Sequence, residues 1–185
     1  MADKKGANPR HSAGRIPQAL LERHCERYPD FGPEAAQLVF SVRALATSIN
    51  DASKEWLSPN GLNPVRMNVI AILEGIPQGL PLSTLGALLH TRGPHVTALI
   101  DLMEDDGLVR RYKNPSDRRS FIVRLTPTGR RLFHKSFPTH YRANNRFVSC
   151  LSPSERRHLL ELLAKLYSNV VQFSGAAHPK GTYAL

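Results

Sequence analysis

Residues 88–126 read LLHTRGPHVTALIDLMEDDGLVRRYKNPSDRRSFIVRLT, and helix, strand and turn signals follow one another in that order. From Pro94 to about Asp106, Val96, Leu99, Ile100 and Met103 fall on one side of a helix. Its proline suits a first helical position, and Gly107 suits a left-handed cap at the far end. Val109–Tyr112 and Phe121–Leu125 then read as strands, the second with Phe121, Val123 and Leu125 on one face and Ile122 and Arg124 on the other. Between them lies NPSDRR, which puts adjacent arginines at a hairpin tip. A solvated turn is the ordinary meaning of such a loop, but its surroundings point elsewhere. From Val109 to Lys135 stand nine cations (Arg110, Arg111, Lys113, Arg118, Arg119, Arg124, Arg130, Arg131 and Lys135) and a single acid, Asp117.

Working outward, Ser83 is expected to cap a short helix reaching His90, with Leu85, Leu88 and Leu89 inward, and TRG makes a tight turn. Asn63 caps, and Pro64 opens, a helix to about Glu74 that is apolar nearly all round and therefore buried. A long helix from about Glu34 to Trp56 precedes it, with Leu38, Val42, Leu45, Ile49, Ala52 and Trp56 spaced by threes and fours. Downstream, Thr126 and Pro127 start a helix that Pro138 should kink or interrupt. Ser152–Glu155 is a capping box opening a last helix, with a stripe of Leu159, Leu162, Leu163, Leu166, Val170 and Phe173. Residues 1 to about 16 read as a mobile arm, Ile16–Arg27 as a short helix, and the chain from Gly175 as a loose tail. The class is mainly α with a small, three-stranded β-wing. Helix, short turn, helix and basic hairpin is the order of a winged helix-turn-helix.

The 185 residues suit one domain with appendages, and the formal net charge of +10 implies a polyanionic partner. Two cysteines, Cys25 and Cys150, make neither a disulfide framework nor a zinc site. No apolar run approaches the roughly 18 residues of a membrane span, and the basic N-terminus lacks the apolar centre of a secretory signal. The expected setting is the cytoplasm. No nucleophile elbow, phosphate-binding glycine loop or paired metal motif calls for an enzyme or a cofactor. His134 and His140 fall on different helix faces, and His90 and His95 straddle a turn, so no metal is expected. With aromatics at 7%, an RNA-stacking platform is poorly supplied. The first 33 residues make a feeble membrane-surface helix.

Double-stranded DNA fits the pattern. A helix whose N-terminus enters the major groove brings Thr91, Arg92, His95 and Thr97 to base edges, with Asp101, Glu104, Asp105 and Asp106 at the opposite end. A thin hairpin can enter the minor groove, where the negative potential attracts arginine. Arg119 is assigned that entry, with Asp117 holding it in one rotamer, while Arg110, Arg111 and Arg118 lie on or near phosphates.

Leu80–Phe133 resembles the core of the MarR family of bacterial transcription regulators. Asp117 and Arg119 match the family's Asp-x-Arg wing; Leu125, Thr126 and Gly129 match LT-x-x-G, and Gly107–Val109 matches the GLV after the recognition helix. Over residues 35–173 this implies an obligate homodimer with intertwined terminal helices, binding a near-palindromic operator as a repressor. The implied division is 1–33 N-terminal extension, 34–60 first dimerisation helix, 61–126 winged DNA-binding domain, 127–174 C-terminal dimerisation helices and 175–185 flexible tail. The chain departs from the family in having Ala98 where arginine often follows the threonine. Family members are often released by small aromatic or phenolic acids or their thioesters; the matching lining here is Arg43, Ser48, Asp51, Ala52, Trp56, Met67, Ile70, Phe133 and Phe137. A thiol-based redox sensor using Cys25, flanked by Arg23, His24, Glu26 and Arg27, is the alternative. Cys150 is expected to be packed.

Overall fold

The computed structural model describes residues 14–91, 93–115 and 117–173, with the backbone alone for Arg118 and Arg119. Arg92, the expected mobile arm up to residue 13 and the expected tail from 174 lie outside the described residues. Among the described residues seven α-helices and three strands follow in order: α1 (Gln18–Arg27), α2 (Pro33–Leu57), α3 (Pro64–Glu74), β1 (Leu80–Pro81), α4 (Leu82–Leu88), α5 (Gly93–Asp105), β2 (Val109–Asn114), β3 (Asp117–Leu125), α6 (Pro127–Phe147) and α7 (Pro153–Phe173), with a short 3-10 turn at Ser58–Asn60 after α2. Among the described residues, no helix is long and apolar enough to cross a membrane.

The chain divides into two compact units that part between Ala52 and Ser53. In the first, the segment leading into α1 is joined to the start of α2 through polar contacts. The Ile16 amide donates to Gln37 Oε1 at 2.9 Å, and the Ser41 hydroxyl to the Gly14 carbonyl at 2.9 Å. The second unit has its core where α3, α4, α5 and the sheet meet. Met67, Val69, Ile70, Leu85, Ile100, Met103 and Val123 there lose all contact with solvent, each worth about 1.5–3 kcal/mol by apolar burial.

Sequence signals set most boundaries. Asn63 accepts the Arg66 amide at 2.9 Å and Pro64 begins α3. Gly107 takes φ +68 after α5, a left-handed cap. Ser152 and Glu155 close a reciprocal capping box at 2.7 and 3.3 Å, and the Ser152 hydroxyl, followed by its backbone N–H, holds the Glu155 carboxyl below the usual range.

Three expectations require correction. Ser83 does not cap α4. Leu80–Pro81 pairs with β3 (Leu80 with Val123, Pro81 with Ile122), and the chain turns into the helix at Leu82, leaving Ser83 inside the first turn. Of the kink or interruption expected at Pro138, the interruption is absent: α6 runs from Pro127 to Phe147, with the aromatic pair Phe133–Phe137 packed on the core just before the proline. Cys150 is exposed rather than packed, because α6 ends at Phe147 and the thiol falls in the turn before α7.

The sheet has the order β1-β3-β2, antiparallel throughout. Leu38, Leu45 and Ile49 of α2 are exposed within the protomer, as are Leu159, Leu160, Leu162, Leu163, Val170 and Phe173 of α7, which buries no residue.

Candidate nucleic-acid interface

The turn between α4 and α5 is built from backbone. The Thr91 amide donates to the Gly86 carbonyl at 2.9 Å, and the Thr91 hydroxyl to the Leu89 carbonyl at 3.0 Å. Thr91 therefore shapes the turn, and its hydroxyl faces inward along the chain. His90 adopts φ +50, uncommon for a residue with a side chain. Its Nδ1 lies 2.8 Å from the Tyr167 hydroxyl of α7, with the rings edge-on at 5.1 Å. His95 and Thr97 are exposed on the first turns of α5, as the sequence reading requires of base-facing residues.

The hairpin extends farther than the sequence marks it. β2 reaches Asn114 and β3 begins at Asp117, with a register shift between Lys113 and Asn114. The tip is cross-braced: the Asn114 side-chain amide donates to the Ser120 hydroxyl at 2.9 Å, which donates to the Asp117 carbonyl at 3.2 Å. Neither Asn114 nor Ser120 was singled out from sequence; the signal available was their polar character on either side of the tip. Asp117 is exposed at the tip, and the backbone of Arg118 and Arg119 follows it in β3. What Asp117 does to the Arg119 side chain lies outside the described residues.

The nine cations separate into groups. Arg111 is spoken for: its guanidinium meets Asp101 at 2.6 Å and Glu104 at 2.9 Å, and its own amide donates to Glu104 at 2.8 Å. A contact of 3.3 Å to the Thr97 carbonyl completes the set. Both carboxylates come from α5 and the arginine from β2, so Arg111 ties the helix to the hairpin. Arg124 lies over the Tyr112 ring at 5.0 Å and donates to the Gln78 carbonyl at 2.9 Å. Arg130 pairs with Glu74 at 3.4 Å. Arg110, Lys113, Arg131 and Lys135 are exposed on the hairpin and the start of α6.

Acids at the far end of α5 oppose the helix dipole, and the structure supplies their reason. Asp101 and Glu104 hold Arg111, and Asp106 pairs with Arg66 of α3. The Arg111 side chain is 19% exposed. Charged hydrogen bonds this sheltered contribute on the order of 1–3 kcal/mol, so Arg111→Ala should lower the free energy of unfolding by that amount. Urea denaturation with an unchanged slope measures it; a midpoint equal to wild type would remove the bracing role.

Of the expected effector lining, the second unit brings Met67, Ile70, Phe133 and Phe137 together. Met67 and Ile70 are fully buried in the core, Phe133 joins them, and Phe137 stacks on Phe133 at 4.6 Å. Burial beside Phe137 holds the His140 imidazole below its ordinary pKa. Arg43, Ser48 and Asp51 are exposed on α2, within the first unit. Trp56 instead borders an open cavity of about 450 Å³ with Thr139, Arg142, Ala143, Arg146 and Phe147, its ring 5.7 Å from Phe147. The two arginines were missed from sequence, because nothing local ties the distal half of α6 to Trp56. Cys25 is exposed on α1.

A family model described as MarR family matches residues 62–121. MhqR, an HTH-type transcriptional regulator of Bacillus subtilis (strain 168), is 29% identical over 126 residues, which are 68% of this chain and 86% of that protein. YkoM, another HTH-type transcriptional regulator of that strain, is 33% identical over 135 residues, 71% of this chain and 86% of its own. Among solved structures, the transcriptional repressor CouR bound to a 23-mer DNA duplex aligns with a TM-score of 0.64 and 26% identity, covering 74% of this chain and 96% of that one.

Proposed function

Because this chain belongs to the MarR family of DNA-binding transcriptional regulators, we propose that it acts in the cytoplasm as a homodimeric repressor of a near-palindromic operator. The observation that carries this reading is the junction at Arg111, which joins the helix presenting His95 and Thr97 to the cationic hairpin. One element would enter the major groove and the other the adjoining minor groove. In this reading Arg92, His95 and Thr97 face base edges, Arg119 enters the minor groove with Asp117 positioning it, and Arg110 and Arg118 neutralise phosphates. Arg111 leaves that set as a brace.

The apolar stripes of α2 and α7, exposed in the protomer, support dimerisation along residues 34–60 and 127–174, since a contiguous apolar face of this kind calls for a partner surface. Sedimentation at micromolar concentration is expected to give twice the mass of one chain. A monomer that still binds duplex would overturn the dimer reading.

Binding to the DNA upstream of its own gene is the direct test. A dimer neutralising about six to ten phosphates should lose roughly 10³–10⁵ in affinity between 50 and 200 mM salt. Tight binding without salt dependence would count against the wing and its flanking cations as phosphate contacts.

For the effector, the cavity at Trp56 fits a small aromatic or phenolic acid, or its thioester: Trp56 and Phe147 offer ring surface, Arg142 and Arg146 charge for the carboxylate. Trp56 is the sole tryptophan, so intrinsic fluorescence reports on this cavity. Titration with aromatic acids should quench it as operator is released. Release with unchanged fluorescence would place the effector elsewhere.

A further inference from the structure

The outward face of α5 is short of hydrogen-bonding groups. Pro94, Ala98 and Leu102 are all exposed, Leu102 to 63%. They stand at i, i+4 and i+8, and so form one apolar ridge along the helix. Thr97 borders this ridge. Its hydroxyl gives its proton to the Gly93 carbonyl at 3.1 Å, so what the side chain offers a neighbour is its methyl group and an oxygen that can only accept. Asp101, one turn on, is held by Arg111. Among the described residues in the first two turns, His95 is the one that brings ring nitrogens outward.

In the major groove guanine shows two acceptors, cytosine a donor and adenine one of each, whereas thymine pairs its acceptor with a C5-methyl group. An aliphatic ridge laid against guanine or cytosine would strip water from those groups and return no hydrogen bond, which is costly. Against thymine it gains a methyl contact.

The geometry points to thymine C5-methyl groups as the feature this helix reads. The Thr97 and Ala98 methyls pack against thymines of each half-site, Pro94 and Leu102 flank them, and His95 makes the polar base contact. The inference rests on the duplex-binding reading above and adds the base class to it.

The test begins by selecting duplexes from a random pool with the full-length protein. Each thymine of the enriched half-site is then replaced by deoxyuridine, which removes the C5-methyl alone. Affinity should fall about fourfold per engaged methyl in one half-site and about fifteenfold when both half-sites are changed, the weight of one and two buried methyl groups. Thr97→Ser keeps the hydroxyl and its bond to Gly93, and Ala98→Gly removes the other methyl. Each should bring the thymine-to-uracil affinity ratio at its position close to one. The ratio is the readout because glycine inside a helix weakens the fold generally, and a general loss leaves a ratio unmoved.

Enriched half-sites lacking thymine, uracil substitution tolerated within twofold throughout, or a ratio unchanged in both variants would overturn the inference and leave duplex binding standing. A pool from which nothing is enriched would overturn the regulator reading, and this inference with it.

Discussion

Arg119→Ala is expected to weaken operator binding by about 2–3 kcal/mol, the scale of one well-placed arginine contact, or on the order of a hundredfold. The expectation comes from the frame around the residue. The hairpin is paired from Val109–Leu125 to its tip, where Asn114 and Ser120 fasten the turn to the Asp117 carbonyl. A hairpin so braced has less of its backbone left to order on binding, which removes much of the entropy cost. Arg119→Lys should recover little, since lysine restores the charge but not the planar guanidinium suited to a narrow groove. Isotherms at one fixed salt concentration, with thermal unfolding unchanged, are the check. Wild-type affinity in a folded Arg119→Ala protein would remove the wing from the interface. An exposed phosphate neighbour such as Arg110 should behave otherwise: Arg110→Ala lowers affinity evenly across sequences and reduces the salt slope by about one.

Gly129→Ala should destabilise the fold by about 3 kcal/mol, at the upper end of overpacking. A Cβ at this position would overlap the Leu108 carbonyl oxygen and lie 2.7 Å from Leu125 Cδ1. The obstacle is backbone, so no rotamer change relieves it. The same spot is clasped by polar contacts. Thr126 accepts the Gly129 amide at 3.0 Å, its hydroxyl reaches the Gly107 carbonyl at 2.6 Å, and its own amide donates to Leu108 at 3.0 Å. The start of α6 is thereby pressed onto the segment linking α5 to β2. Chemical denaturation should show a lower midpoint at constant slope. A midpoint within experimental error of wild type would mean that α6 can shift away from Leu108, and the close approach would carry no constraint.

This junction also shows what a sequence discloses and what it withholds. Thr126 and Gly129 stood out as a motif, and their capping chemistry could be read from residue types. That the glycine faces a carbonyl 21 positions earlier in the chain could not. The same division runs through the molecule. Asn63, Gly107 and the Ser152 capping box announced themselves because their partners lie within a few residues. β1 went unlocated because two residues carry no periodicity and acquire strand character only from Val123 and Ile122. In the interface, exposed His95 and Thr97 were legible as helix-face positions. The diversion of Arg111 to Asp101 and Glu104 was not, because its charge looks the same in sequence whether a phosphate or a carboxylate answers it.

Arg111 has one more consequence. A helix seated in one groove and a wing in the next are two ligands on a tether, and the tether's stiffness sets the effective concentration of the second once the first has docked. With Arg111 bonded to Asp101 and Glu104 of α5, that tether is a strut. The second contact is then made almost as soon as the first, and either can let go and rebind before the protein drifts away. If the strut acts through geometry alone, cutting it should appear as a shorter residence time on the operator, with the association rate nearly unmoved.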